Sequence, residues 1–148
     1  MTRVLGLDVG DQRIGVAISD ELRITTRGLL TIKRTNTKED IRKIADLASE
    51  NNCSGIIVGL PLNLSGDDSK QTEKVRLFAK KLENKVGNTS KDSKIGVFLW
   101  DERYSTKTAD EIMDEVGLSK AKRKEIIDQQ AACIILEDWI DSNPEVGH

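Results

Sequence analysis

The period of the apolar positions changes along the chain. Val4 to Val9 is a short apolar run closed by Asp8-Val9-Gly10-Asp11, in which Gly10-Asp11 reads as a tight turn. From Arg13 to Ser19, Ile14, Val16 and Ile18 alternate with Gly15, Ala17 and Ser19, the period of two expected of a strand. These segments predict a β-hairpin, and the β-branched stretch Thr25 to Lys33 supplies a third strand of an antiparallel meander.

Helical spacing then takes over. Ile41, Ile44, Ala45 and Ala48 predict an amphipathic helix, capped either by Asn36 with Glu39 or by Thr37 with Asp40. Ser54 to Leu60 reads as a buried strand halted by Pro61. Val75, Phe78, Ala79, Leu82 and Val86 mark a second helix, Gly87 to Lys94 a polar loop, and Ile95 to Trp100 a further strand. Ala109, Ile112, Met113 and Val116 mark a third helix, and a last one spans about Glu125 to Asp141. Strands that alternate with helices after a meander imply parallel pairing through crossovers. The expected class is α/β: a mixed five-stranded sheet flanked by helices.

Length and composition narrow the possibilities. A chain of 148 residues suits one domain, expected over 1–142 with a short tail at 143–148. No apolar run approaches the ~20 residues of a membrane span, and the N-terminus has no signal-peptide pattern, so a cytoplasmic protein with no membrane partner is expected. The single histidine is His148, and Cys53 and Cys133 lie far apart, which disfavours a zinc site and Ser/His or Cys/His nucleophilic schemes. Catalysis would rest on carboxylates, hydroxyls and cations. The net charge of −2 means that any nucleic-acid surface is local. Lys120 to Lys124 is a candidate, although a charge run of this kind more often forms a solvated helix start.

Three carboxylates occupy unusual places. Asp8 ends an apolar strand, where it either caps the following turn or serves a site. Asp101-Glu102-Arg103 follows the apolar Ile95–Trp100 run at once, and alternation lets only one of the two acids share a face with Asp8 without saying which. On a helical wheel, Asp128 falls inside the apolar stripe of Ala132, Ile135 and Trp139, flanked by Ala131 and Leu136, while Gln130 and Glu137 fall opposite. Its alternative reading is a first-turn acid favoured by the helix dipole. Three such acids on separate elements suggest a hard divalent cation such as Mg²⁺.

Four blocks together resemble the YqgF family, bacterial RNase-H-like proteins related to Holliday junction resolvases. They are Leu7-Asp8-Val9-Gly10-Asp11-Gln12-Arg13-Ile14-Gly15-Val16-Ala17, Val58-Gly59-Leu60-Pro61-Leu62-Asn63, Asp101-Glu102-Arg103-Tyr104-Ser105-Thr106 and Ile127-Asp128-Gln129-Gln130-Ala131-Ala132. The resemblance implies an RNase-H-like fold and a nuclease that uses Mg²⁺ or Mn²⁺ to mature the 5′ end of pre-16S ribosomal RNA. It implies Asp8, Glu102 and Asp128 as catalytic and metal-binding acids, choosing Glu102 over Asp101. It implies Arg13, Asn63 and Arg103 as polar residues lining the site; either arginine could contact phosphate or pair with a neighbouring acid. The implied partner is precursor rRNA, with ribosomal particles among the candidates, and the chain is expected as a monomer or homodimer. Related resolvases carry two acids near the start of the last helix, whereas Ala131 stands three residues after Asp128 here. Rival readings are a junction-cleaving DNA resolvase, a non-catalytic RNA or ribosome-assembly module, and an ATP-binding fold of the actin and sugar-kinase type. The last would need a second domain, for which the chain has no room.

Overall fold

The computed structural model describes residues 2–62, 68–87, 95–101 and 120–142. Their elements are β1 (Arg3–Val9), β2 (Arg13–Ser19), β3 (Thr26–Lys33), α1 (Thr37–Glu50), β4 (Cys53–Leu60), α2 (Lys70–Gly87), β5 (Gly96–Asp101) and α3 (Lys120–Ser142). The expected helix around 109–117 and the tail at 143–148 lie outside the described residues. The five strands form one sheet in the order β3-β2-β1-β4-β5. β3, β2 and β1 pair antiparallel as a meander, and β1–β4 and β4–β5 pair parallel. This is the mixed sheet that the change of period predicts.

Alternation along the strands divides the core between the two faces. Leu5, Leu7, Val9, Ile14, Val16, Ile18, Ile56, Val58 and Leu60 pack with the apolar stripes of α1 and α2. Val4, Ala17 and Ile57 pack on the other face with Ala132, Cys133, Ile135, Leu136 and Trp139 of α3. Burying a side chain such as Ile135 or Leu136 contributes about 1.5–3 kcal/mol, so this stripe fixes which side of α3 faces the sheet.

Two local details differ from, or decide between, the sequence expectations. Of the two possible caps for α1, Asn36 is the one used: its backbone is extended and its Oδ1 accepts from the Glu39 amide at 2.9 Å. Helix α3 begins at Lys120, earlier than expected near Glu125. The segment Lys120–Lys124 has no apolar periodicity to mark a helix, but Lys, Arg and Ala are good helix formers.

Candidate active site

Asp8 stands near the C-terminal end of β1, directly opposite Gly15 of β2. Strand alternation puts both on the α3 face, together with Val4 and Ala17. Helix α3 lies against the sheet at this point. A Cβ built on Gly15 would come within 2.0 Å of the Asp128 carbonyl oxygen, and one on Gly6 within 2.8 Å of the Ala132 carbonyl oxygen. Glycine at 15 is therefore required for the helix backbone to rest on the strand. The contact brings Asp128 to the strand position paired with Asp8. The residues at 131, 132, 135, 136 and 139 that flank Asp128 on the wheel are all buried, while Asp128 itself is half-buried. The apolar stripe thus carries an acid to the sheet, as the wheel predicts.

Arg13 completes the group. It follows the turn after Asp8, and alternation puts it on the same face as Gly15. Its Nε donates to Asp128 Oδ2 at 2.8 Å, a charge-assisted bond between partly exposed groups. The other Asp128 oxygen has no protein partner among the described residues. Of the two roles considered for this arginine, pairing with an acid is the one the fold displays.

The strand register also separates the two neighbouring acids of the 101–102 pair. Asp101 pairs with Leu60, which packs with the α1 and α2 core, so Asp101 points to the face opposite Asp8. Glu102, Arg103 and Asn63 lie outside the described residues. Among the described residues, no three acidic, histidine or cysteine side chains are grouped closely enough to hold a metal.

One pair behind the site escapes a reading of periodicity. Asp40 is fully buried in the first turn of α1, and Arg34 Nε donates to its Oδ2 at 2.9 Å. The same guanidinium donates through Nη1 to the Gly10 carbonyl at 2.9 Å, and the Arg34 amide donates to the Gln12 carbonyl at 2.9 Å. Within the turn, the Gly10 amide donates to the Arg13 carbonyl at 2.9 Å. Arg34 and Asp40 therefore clamp from below the turn that separates Asp8 from Arg13. The sequence signal is present in retrospect: an arginine and an aspartate six residues apart across a helix cap.

The fold defines the class. The structure is similar to a Thermus thermophilus RuvC in complex with a Holliday junction substrate, at TM-score 0.56 and 14% identity over 96% of each chain. It is similar as well to the yeast mitochondrial Holliday junction resolvase, at TM-score 0.56 and 10% identity over 99% of this chain and 81% of that one. At such identities the likeness establishes the fold, which is RNase-H-like. The chain belongs to the RuvX family: the family model, described as a Holliday junction resolvase, matches residues 2–142. This is the YqgF family expected from the four sequence blocks. Among its relatives, a Myxococcus xanthus protein is 42% identical over 141 residues, 95% of this chain and 89% of that protein. A Clostridium tetani protein is 46% identical over 140 residues, 95% and 96% of the two chains. Both are named as candidate pre-16S rRNA nucleases. No helix among the described residues is long and apolar enough to cross a membrane.

Proposed function

We propose that this protein is a divalent-metal-dependent endonuclease that processes the 5′ end of pre-16S rRNA. The observation that carries the reading is the seating of Asp128 on Gly15, the cross-strand partner of Asp8. Membership of a family whose relatives are named for this activity supports the substrate.

The donor chemistry fits a hard cation. Asp8 and Asp128 offer carboxylate oxygens, and the cysteine on α3, Cys133, is turned into the core. Asp8 and Asp128, with Glu102 from the family resemblance, would hold Mg²⁺ or Mn²⁺. A bound divalent ion supplies Lewis-acid polarisation of a phosphoryl oxygen and acidification of water. The orientation of Asp101 toward the opposite face supports Glu102 as the third acid. Arg13 holds one oxygen of Asp128, fixing the carboxylate's rotation and leaving the second oxygen for a ligand. Its charge also offsets repulsion among the acids.

A second reading, cleavage of junction DNA, is favoured by the description of the family model. Ala131, where related resolvases carry another acid, is fully buried among apolar neighbours, which weighs against it. Incubating the purified protein with a precursor rRNA 5′ leader and, separately, with a four-way DNA junction distinguishes the two. Cleavage of the RNA, dependent on Mg²⁺ or Mn²⁺ and abolished by EDTA, is expected. Cleavage confined to the junction would replace the RNA reading, and cleavage of neither would leave an RNA-binding module.

A further inference from the structure

On the sheet face opposite the acids, α1 and α2 enclose a groove in which cations outnumber acids. Its first part is a cavity of about 200 Å³ bordered by Asp11, Thr37, Gln71, Lys74 and Lys81 above Val75 and Phe78. A second cavity of about 310 Å³ continues past Thr37 and Lys81 to Lys38, Arg42 and Lys85. Lys74, Lys81 and Lys85 are spaced i, i+7, i+11, so they share one side of α2. At a rise of ~1.5 Å per residue they form a row of about 16 Å. Lys38 and Arg42 face them from α1.

The acids along this groove are already engaged. Asp11 lies 3.7 Å from Lys74, and Glu39 is 2.7 Å from Arg42. The charge of Arg34, at the floor, is met by Asp40. Lys38, Lys81 and Lys85 form no ion pair among the described residues. Gathering unpaired cations costs repulsion, and here it occurs in a chain whose net charge is −2. The groove also starts at Asp11, in the turn that directly follows the Asp8 strand end. A strand leaving the acids around this turn would enter it.

We infer that the α1–α2 groove binds the phosphodiester backbone of the nucleic acid away from the scissile bond, through Lys81 and Lys85 with Lys38 opposite. The contact is to phosphate oxygens and is independent of base sequence, because lysine acts as a point charge. This inference rests on the nuclease reading for its ligand, but it is tested by binding alone.

The test measures the affinity of the full chain for a fluorescein-labelled, mixed-sequence single-stranded RNA across a salt series, in EDTA. Each phosphate neutralised on a single strand contributes about 0.7 to the slope of log affinity against log salt. The double variant Lys81→Ala/Lys85→Ala should flatten that slope by about 1.4 and weaken binding throughout the series. Lys43→Ala/Lys80→Ala, which removes the same charge outside the groove, should change the slope by much less. An unchanged slope in the groove variant would overturn the inference, as would an equal loss in the control pair. So would sedimentation showing that the groove variant instead abolishes self-association, which would make the groove an interface between copies. A wild-type protein that binds with the steep slope but cleaves nothing would sink the nuclease reading alone. A cleaving protein whose slope ignores Lys81 and Lys85 would sink the groove alone.

Discussion

The carbonyl of Asp128 rests on Gly15 so closely that a single methyl group at position 15 would lie 2.0 Å from its oxygen. Since Gly15 is the β-ladder partner of Asp8, this contact sets how near the two acids come. Gly15→Ala must therefore lift α3 or distort β2. Overpacking typically costs about 1–3 kcal/mol, and a clash with backbone on both sides falls at the upper end. Thermal unfolding should show a lower Tm, and cleavage should fall further than the loss of folded protein explains. A variant with wild-type activity would mean that the helix does not need to touch the strand.

Arg13 and Asp128 are both partly exposed, so their ion pair contributes about 0–1 kcal/mol to stability. Arg13→Gln should unfold at nearly the wild-type denaturant midpoint. Its role in holding the carboxylate predicts a separate change: the concentration of Mn²⁺ or Mg²⁺ needed for half-maximal cleavage should shift, together with a lower maximal rate. Equal metal dependence in the two proteins would remove Arg13 from the site.

The pair behind the turn behaves differently because it is buried. Removing one partner of a buried ion pair leaves an uncompensated charge and costs about 3–5 kcal/mol. Arg34→Met, which leaves the fully buried Asp40 carboxylate unpaired, should therefore be among the most destabilising single changes in the chain. Arg34→Met/Asp40→Leu, which removes both charges, should recover much of the stability without recovering cleavage, since the bond to the Gly10 carbonyl stays lost. Urea unfolding and initial cleavage rates on the same three proteins check this. Full recovery of both would reduce the pair to packing.

The two cysteines give a pH prediction. Burial pushes the thiols of Cys53 and Cys133 up to about 11 from an ordinary value of 9.0. The folded state keeps its protons after the unfolded chain has begun to lose them. The sign follows: this stabilisation is fully present below about pH 9 and is lost as pH rises toward about 11. Urea midpoints should decline across that window, and less so in Cys53→Ala/Cys133→Ala. Neither native thiol should react rapidly with iodoacetamide at neutral pH, whereas both should in denaturant.

Much of the fold and part of the site are legible in the sequence. The meander is visible because Ile14, Val16 and Ile18 alternate strictly, and the seating of Asp128 because Ala132, Ile135 and Trp139 share its side of the helix. Glu102 over Asp101 is not readable from alternation; it comes from the family resemblance, and the β4–β5 register adds only that Asp101 faces the other way. The Arg34–Asp40 clamp is hidden because an acid in the first turn of a helix looks like an ordinary dipole partner. Gly15 reads as one small residue in an alternating strand; its necessity depends on a helix more than 100 residues later in the chain. Arg13 finds its partner over the same distance.

The central claim is that Asp8 and Asp128 act together in phosphodiester hydrolysis. Its most direct test is the rate of Mn²⁺- or Mg²⁺-dependent cleavage of a precursor 16S rRNA leader by wild type, Asp8→Asn and Asp128→Asn. Each substitution keeps the side-chain shape and removes a charge, so folding should persist while the rate falls by about 10²-fold or more, the scale of losing about 2.7 kcal/mol or more of transition-state stabilisation. Cleavage by Asp8→Asn or Asp128→Asn at the wild-type rate would contradict it.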